Sequence, residues 1–249
     1  MNSRLKFAGI HLLSSAAVAS MSGLLVFLCW YPPPFAAFSG GLALFAMLVS
    51  IDVVLGPMLT AVVANPRKGR AELTRDMGVI VLVQLAAFAY GMATLATARP
   101  LYLVHEVDRF KVIARPDLQG ATLEALPAAL QPGWLTRPLI VATRPPRDET
   151  QRQRVMMESA QGGRDYAERP EFYIPYAGEA VQRALSKAKA LATFLEKQPA
   201  QLATAQALGS QHQASIAQWF YVPILARKDW VAVLDARGQI VGYLEGDGF

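Results

Sequence analysis

Asp52 is the one carboxylate in a stretch from Phe7 to Pro66 that contains no Lys or Arg, and Gly56-Pro57 follow it by about one helical turn. A carboxylate in such apolar surroundings must find donors, carry a proton, or face a cavity. The structural reading gives it a hydrogen bond to Gln84, which lies in the next apolar run. In the functional reading, Asp52 with Gly56 and Pro57 makes a polar, locally unwound docking face for another transmembrane helix. Pro57 has no N–H to offer the carbonyl of Val53 four residues back, so the ladder must loosen there. Proton transport would need a chain of ionisable groups, and His11 is the one other such group in the stretch.

Two further clusters carry reactive side chains. His105-Glu106-Val107-Asp108-Arg109-Phe110 puts acid and base next to the end of the apolar region and reads most simply as a salt bridge at a strand bend. In Arg169-Pro170-Glu171-Phe172-Tyr173-Ile174-Pro175-Tyr176, two prolines enclose Phe172 and Tyr173 in an extended segment, with Tyr176 just beyond. Rigid aromatics of this kind serve as contact anchors for a partner or as plugs on the domain's own core.

Enzymatic signatures are missing from the sequence. There is no GxSxG, Walker A loop, GxGxxG after a strand, HExxH, or pair of Cys or His at metal spacing. His105 and His212 read as ordinary strand and helix-surface residues. Cys29 is the single cysteine, so no intrachain disulfide or CxxC redox pair is available. No catalytic, cofactor or metal site is expected.

The elements that must position these residues fall into two regions. Of 249 residues, 17% are charged, well below the roughly 25% of soluble domains. Residues 1–99 hold seven Lys/Arg against three Asp/Glu, whereas residues 100–249 are nearly balanced at seventeen against sixteen, without a dense basic block. A nucleic-acid partner is therefore not expected. A membrane helix needs about 20 apolar residues, and three runs qualify, at about 7–31, 35–64 and 77–98, the first two separated by Tyr31-Pro32-Pro33-Pro34. Arg4 and Lys6 before the first span, and Arg67, Lys68, Arg70 and Arg75 after the second, place those ends in the cytoplasm. The chain beyond Arg99 is then outside, in the periplasm if the source is bacterial. A signal peptide cut after Ala17-Val18-Ala19 is a rival reading, but it would leave Met21 to Tyr31 too short to span.

Residues 100–249 suffice for one domain with its own core. Leu101 to Val107 reads as a strand continued by Arg109 to Ile113, and Leu139 to Thr143 as another. Helices are expected at Asp148 to Ala160, Gly178 to Lys197 and Ala200 to Ala217. Trp219 to Leu225, Trp230 to Leu234 and Gln239 to Leu244 are β-rich, the last two joined by a hairpin at Asp235-Ala236-Arg237-Gly238. The expected architecture is a three-helix membrane domain followed by an α+β extramembrane domain with a small antiparallel sheet.

Gly9-Ile10-His11-Leu12-Leu13, Trp30-Tyr31-Pro32, Asp52-Val53-Val54-Leu55-Gly56-Pro57, Gln84-Leu85-Ala86-Ala87, Ala89-Tyr90-Gly91, Ala98-Arg99-Pro100, Val107-Asp108-Arg109-Phe110 and Arg169-Pro170-Glu171-Phe172-Tyr173 follow one another in an order that resembles the TfpX/TfpZ family of type IV pilin accessory proteins. The resemblance extends over nearly the whole chain. It implies an inner-membrane protein of Gram-negative bacteria, without enzyme activity, that assists the stability or assembly of the type IV major pilin. The terminal Gly246-Asp247-Gly248-Phe249 and the Ala/Gln-rich stretch from Ala200 to Gln213 depart from the family pattern. With this role, Asp52, Gly56, Pro57 and Gln84 would meet the pilin's membrane helix, and Phe172, Tyr173 and Tyr176 its head. A membrane-tethered sensor module is the competing class, although the twelve-residue loop from Asn65 to Asp76 and the N-terminal tail leave little for a cytoplasmic output. A pilin-modifying transferase would have to work with Glu106, Asp108 and Arg109 alone.

Overall fold

The computed structural model describes residues 3–63 and 69–249. Three helices are long and apolar enough to cross a membrane, at Lys6–Trp30, Gly41–Val63 and Ala71–Ala98. The first combines α1 (Ser3–Leu25) with a π-helical turn at Val26–Trp30. A separate single turn, α2 (Phe35–Phe38), follows the prolines. The second long helix joins α3 (Gly41–Ser50), a π turn at Ile51–Leu55 and α4 (Gly56–Val63). The third is α5 (Arg70–Ala98). Leu13, Met21, Val62, Leu82 and Tyr90 point outward and are exposed. Such apolar outer faces, on helices whose backbone bonds are internally satisfied, suit a bilayer. Of the basic residues used above for orientation, Arg67 and Lys68 lie outside the described residues.

The second helix begins at Gly41, later than composition suggests. Gly40 adopts φ 76 and sets α2 apart, while Phe35 and Phe38 turn away to pack on Leu103, Phe110, Ile224 and Leu234 of the outer domain. Apolar side chains serve a bilayer and a protein core equally well, so composition does not mark this exit. At the outer end of the bundle, Val26, Trp30, Tyr31, Leu48 and Leu95 form a buried cluster, and the Tyr31 hydroxyl donates to the Leu95 carbonyl at 3.2 Å.

The outer domain is α+β around an eight-stranded sheet, larger than expected and mixed rather than purely antiparallel. Its strands are β1 (Pro100–Glu106), β2 (Arg109–Ala114), β3 (Leu139–Thr143), β4 (Tyr173–Pro175), β5 (Lys189–Ala190), β6 (Phe220–Leu225), β7 (Trp230–Leu234) and β8 (Ile240–Glu245). The order is β4-β3-β1-β2-β6-β7-β8, with β5 beside β6; β1 runs parallel to β3 and β2 parallel to β6. β1 is buried along its whole length, as expected for a central strand covered on both faces. β2 does not extend β1: the chain reverses at Val107-Asp108, pairing Glu106 with Arg109. Pro223 is accommodated within β6 because the edge shared with β5 and β2 pairs at Phe220 and Tyr221, then at Ile224 and Leu225.

The hairpin at Asp235 to Gly238 forms as expected, with Gly238 at φ 78. Helix α6 (Glu149–Ala160) starts at Asp148, whose carboxylate accepts from the Gln151 N–H. The long helix expected at Gly178 to Lys197 is instead two, α7 (Glu179–Lys187) and α8 (Leu191–Lys197). Ala188 becomes extended, Lys189–Ala190 pairs with β6, and the Leu191 N–H donates to the Trp219 carbonyl. Tertiary pairing overrides a helical apolar spacing here. α9 (Leu202–Gln211) is likewise shorter than the expected Ala200 to Ala217 helix, flanked by 3₁₀ turns. Helices α8 and α9 cover Tyr221, Val231 and Val233 on one sheet face.

Candidate intramembrane docking site

Asp52, Gly56 and Thr60 recur at four-residue spacing and are all buried, so they form one inward stripe on the second long helix. The π turn at Ile51–Leu55 ends where Pro57 withholds its N–H, so the loosened ladder read from the sequence takes this form. His11 of α1 reaches the stripe, its Nδ1 lying 2.6 Å from Thr60 Oγ1. Gln84 of α5 reaches it from the other side and donates through Nε2 to the main-chain carbonyl of Asp52 at 3.5 Å. Gly56 is needed for that approach, since a Cβ there would overlap the Gln84 amide.

The Asp52 carboxylate is the unusual feature. The residue is 9% exposed, and among the described residues neither carboxylate oxygen has a hydrogen-bond partner, nor does Gln84 Oε1. The carboxylate hydrogen bond expected from the sequence is not formed; Gln84 reaches the Asp52 backbone carbonyl instead. Asp52, His11, Thr60 and Gln84 line a cleft of about 350 Å³; Ser14 and Ser15 also border it, and its remaining walls are apolar, among them Ile10, Val18, Val49, Val81 and Phe88. A mostly apolar groove with a few convergent acceptors suits a transmembrane helix bearing a donor, because unpaired acceptors in hydrocarbon are costly. No group of three His, Cys, Asp or Glu capable of holding a metal occurs among the described residues.

Pro57 is half-buried beside Gly56. Sequence reasoning missed the part played by Thr60, although its position four residues beyond Gly56 carried the signal. The aromatic segment lies elsewhere and does a different job. Phe172 and Tyr173 are buried and plug the domain's own core. The Tyr173 hydroxyl donates to the Ala167 carbonyl at 2.5 Å, and its ring meets Tyr102 edge-on. Phe172 packs under the Arg144 guanidinium. Tyr176 is half-buried, its hydroxyl donating to the Gly238 carbonyl at 2.9 Å. Pro170–Phe172 form a 3₁₀ turn and the extended backbone expected here is confined to Tyr173–Pro175; the prolines suit a plug as well as a surface anchor, so the sequence could not separate the two.

The acid–base cluster at the head of the outer domain is tied up by contacts within the domain. Buried Glu106 accepts from the Ala167 N–H at 2.9 Å, and burial raises its pKa. Lys111 pairs with Glu168 at 2.7 Å. Burial opposes the Lys111 charge, but the Glu168 hydrogen bond and the surrounding carboxylates prevail and raise its pKa. Arg109 pairs with Asp108 at the exposed turn. Burial, reinforced by nearby Arg183, holds the His105 imidazole down to about 4. His212 lies 2.9 Å from the Val241 carbonyl, and Cys29 is a free thiol.

The outer domain is seated on the bundle by a loop that sequence reading did not single out. The Trp30 indole donates to the Trp134 carbonyl at 2.9 Å, Arg99 donates to the carbonyls of Trp134 and Gly133, and Arg137 donates to the Leu28 carbonyl. Trp134 and Leu135 are exposed beside these anchors, where an amphipathic aromatic suits a membrane interface.

Comparison with known proteins adds a family context. Residues 1–40 match the family described as "Fimbrial assembly protein FimB". "Fimbrial assembly protein, serogroup I" of Dichelobacter nodosus is 32% identical over 251 residues, covering 98% of this chain and 95% of the relative. "Fimbrial assembly protein, serogroup E1" of the same organism shows the same identity and coverage. "Fimbrial assembly protein, serogroups C1 and C2" is 39% identical over 124 residues, 50% of this chain and 92% of that protein. No solved structure matches the chain.

Proposed function

From the chain's membership of the fimbrial assembly protein family, we propose that it is a non-enzymatic accessory protein of the bacterial inner membrane that binds type IV pilin and assists its stability or assembly into pili. The N-terminus lies in the cytoplasm and the outer domain in the periplasm, as the basic residues flanking the first two spans indicate. The observation that carries the reading is the membrane-embedded cleft in which Asp52 is buried without a partner. An apolar pilin helix bearing a hydrogen-bond donor would fill the groove and satisfy the carboxylate. Gly56 and Pro57 keep the groove floor low and its backbone loosened, while Gln84 holds that backbone in place. The outer domain, tied to the bundle through Arg99 and Trp134, stands where it can meet the pilin head, and two linked contacts reinforce each other through effective concentration.

The test replaces Asp52 by Leu and by Asn in cells that make pili. With the variant proteins present in the membrane at normal level, Asp52→Leu should lower pilin abundance or surface piliation. Asp52→Asn, which keeps one acceptor, should do so less. Normal pilin abundance and piliation in Asp52→Leu would contradict the proposal.

A further inference from the structure

The parallel strands β1 and β3 end side by side, and outside their carboxyl ends lies a second cleft of about 380 Å³. Its lining includes Arg144, Arg152 and Arg183, with His105 at its floor, and no carboxylate. Arg144 and Arg152 follow β3 along the chain, the second on α6, whereas His105 comes from β1 and Arg183 from α7, so the fold brings three separate stretches of chain to this cleft. The carboxyl ends of adjacent parallel strands are a recurrent place for ligands in α/β sheets.

Two of the guanidinium groups are positioned by neutral partners. Arg144 donates through Nη1 to the Pro145 carbonyl at 3.0 Å and to Gln151 Oε1 at 3.1 Å, and lies 4.5 Å over the Phe172 ring. Arg183 donates through Nη2 to the Thr143 carbonyl at 3.2 Å. Arg152 faces Glu149 at 3.6 Å in an exposed pair that contributes little. His105 is 4% exposed, and its Nε2 has no hydrogen-bond partner among the described residues. Phe110 and Tyr176 flank its ring at 5.1 and 6.3 Å, so the imidazole is fixed in place. At the rim, Val107 and Met156 are exposed, and Val107 adopts φ 45, an uncommon and strained conformation for a β-branched residue.

We infer that this cleft binds a carboxylate carried by an acidic, partly apolar peptide segment of a partner protein. The guanidinium forks supply planar donors matched to a carboxylate. The neutral His105 imidazole supplies a further donor from the floor when its proton sits on Nε2. Val107 and Met156 give an apolar side chain next to the carboxylate a surface to cover, which a bare inorganic anion would not use. The site is about 17 Å along β1 from Pro100, at the strand end opposite the bundle, as five residues of strand imply.

The experiment uses the full chain in nanodiscs of neutral lipid. A fluorescein-labelled hexapeptide alternating Glu and Leu is titrated by anisotropy, beside the same peptide with Gln for Glu and in the presence of inorganic phosphate. The inference expects saturable binding of the Glu peptide, binding of the Gln peptide weaker by about tenfold or more, and a similar loss in Arg183→Gln. Arg152→Gln, at an exposed position that leaves the fold intact, should also weaken the Glu peptide. Arg183→Lys, which keeps the charge and loses the fork, should recover affinity only in part. Equal binding of the two peptides, wild-type affinity in both Arg→Gln variants, or displacement of the Glu peptide by phosphate at equal concentration would overturn the assignment to a peptide carboxylate.

Discussion

The Gln84 side-chain amide donates to the main-chain carbonyl of Asp52 at 3.5 Å and leaves both oxygens of the Asp52 carboxylate without a partner among the described residues. The third long helix thus steadies the backbone of a π turn, and the charge-bearing group is left to face the cleft. A hydrogen bond to the carboxylate itself would have closed the site. The separation of these two tasks is what makes the intramembrane groove a docking surface in the proposed account.

The close approach of Gln84 rests on Gly56. Gly56→Leu should push the Gln84 amide aside and destabilise the bundle by about 1–3 kcal/mol through overpacking. Adding Gln84→Ala should recover part of that loss, because the two positions share one space. Thermal unfolding of the four corners of this double-mutant cycle in detergent measures the coupling. Additive effects would show that the two residues do not meet.

Arg99 joins the membrane bundle to the outer domain by donating to the Trp134 and Gly133 carbonyls while lying 5.7 and 5.5 Å over the Trp30 and Trp134 rings. Arg99→Ala should cost about 3 kcal/mol, the range for losing charged hydrogen bonds from a buried site. Arg99→Lys should recover only a fraction, since an ammonium cannot span both carbonyls as a planar fork does. Tryptophan fluorescence during thermal unfolding in nanodiscs reports both changes.

Tyr173 is a core residue of the outer domain. Tyr173→Phe removes the hydroxyl bond to Ala167 and should cost about 1 kcal/mol. Tyr173→Ala also empties the space against Tyr102 and should cost about 3–5 kcal/mol. Urea unfolding of the two variants should keep that order. A piliation defect in Tyr173→Ala would then track loss of the folded protein and not of a pilin contact.

Which of these features the sequence exposed follows from what each depends on. The three long helices were legible because a bilayer imposes length and apolarity together, and the last hairpin because Gly238 needs positive φ. The exit of Phe35 and Phe38 from the membrane was hidden, since phenylalanine suits lipid and sheet core alike. The helix break at Ala188 was hidden as well, because its cause is the pairing of Lys189 with Tyr221 across the fold. In the membrane site, Asp52, Gly56, Pro57 and Gln84 were legible as polar or helix-loosening residues in an apolar run. The seating of Trp30 against Trp134 spans more than a hundred residues of chain and leaves no local pattern.

His105 should give the outer domain an acid-sensitive stability. Its folded pKa of about 4 lies below the ordinary value of 6.5. Between these values the unfolded chain binds a proton that the folded one does not. The stabilising contribution is therefore complete above pH 6.5 and is lost as pH falls through 4, by up to about 3 kcal/mol. Urea unfolding at pH 7 and pH 4.5 should show a smaller drop for His105→Gln than for the wild type. Equal drops would contradict the assignment.

The most direct test of the docking account is photocrosslinking in membranes of piliated cells, with the photoreactive residue at Val49 inside the cleft and at lipid-exposed Val62 as control. The account predicts a covalent adduct with the major pilin from Val49, none from Val62, and loss of the Val49 adduct when Asp52 is replaced by Leu. Absence of a pilin adduct from Val49, or equal adducts from both positions, would contradict it.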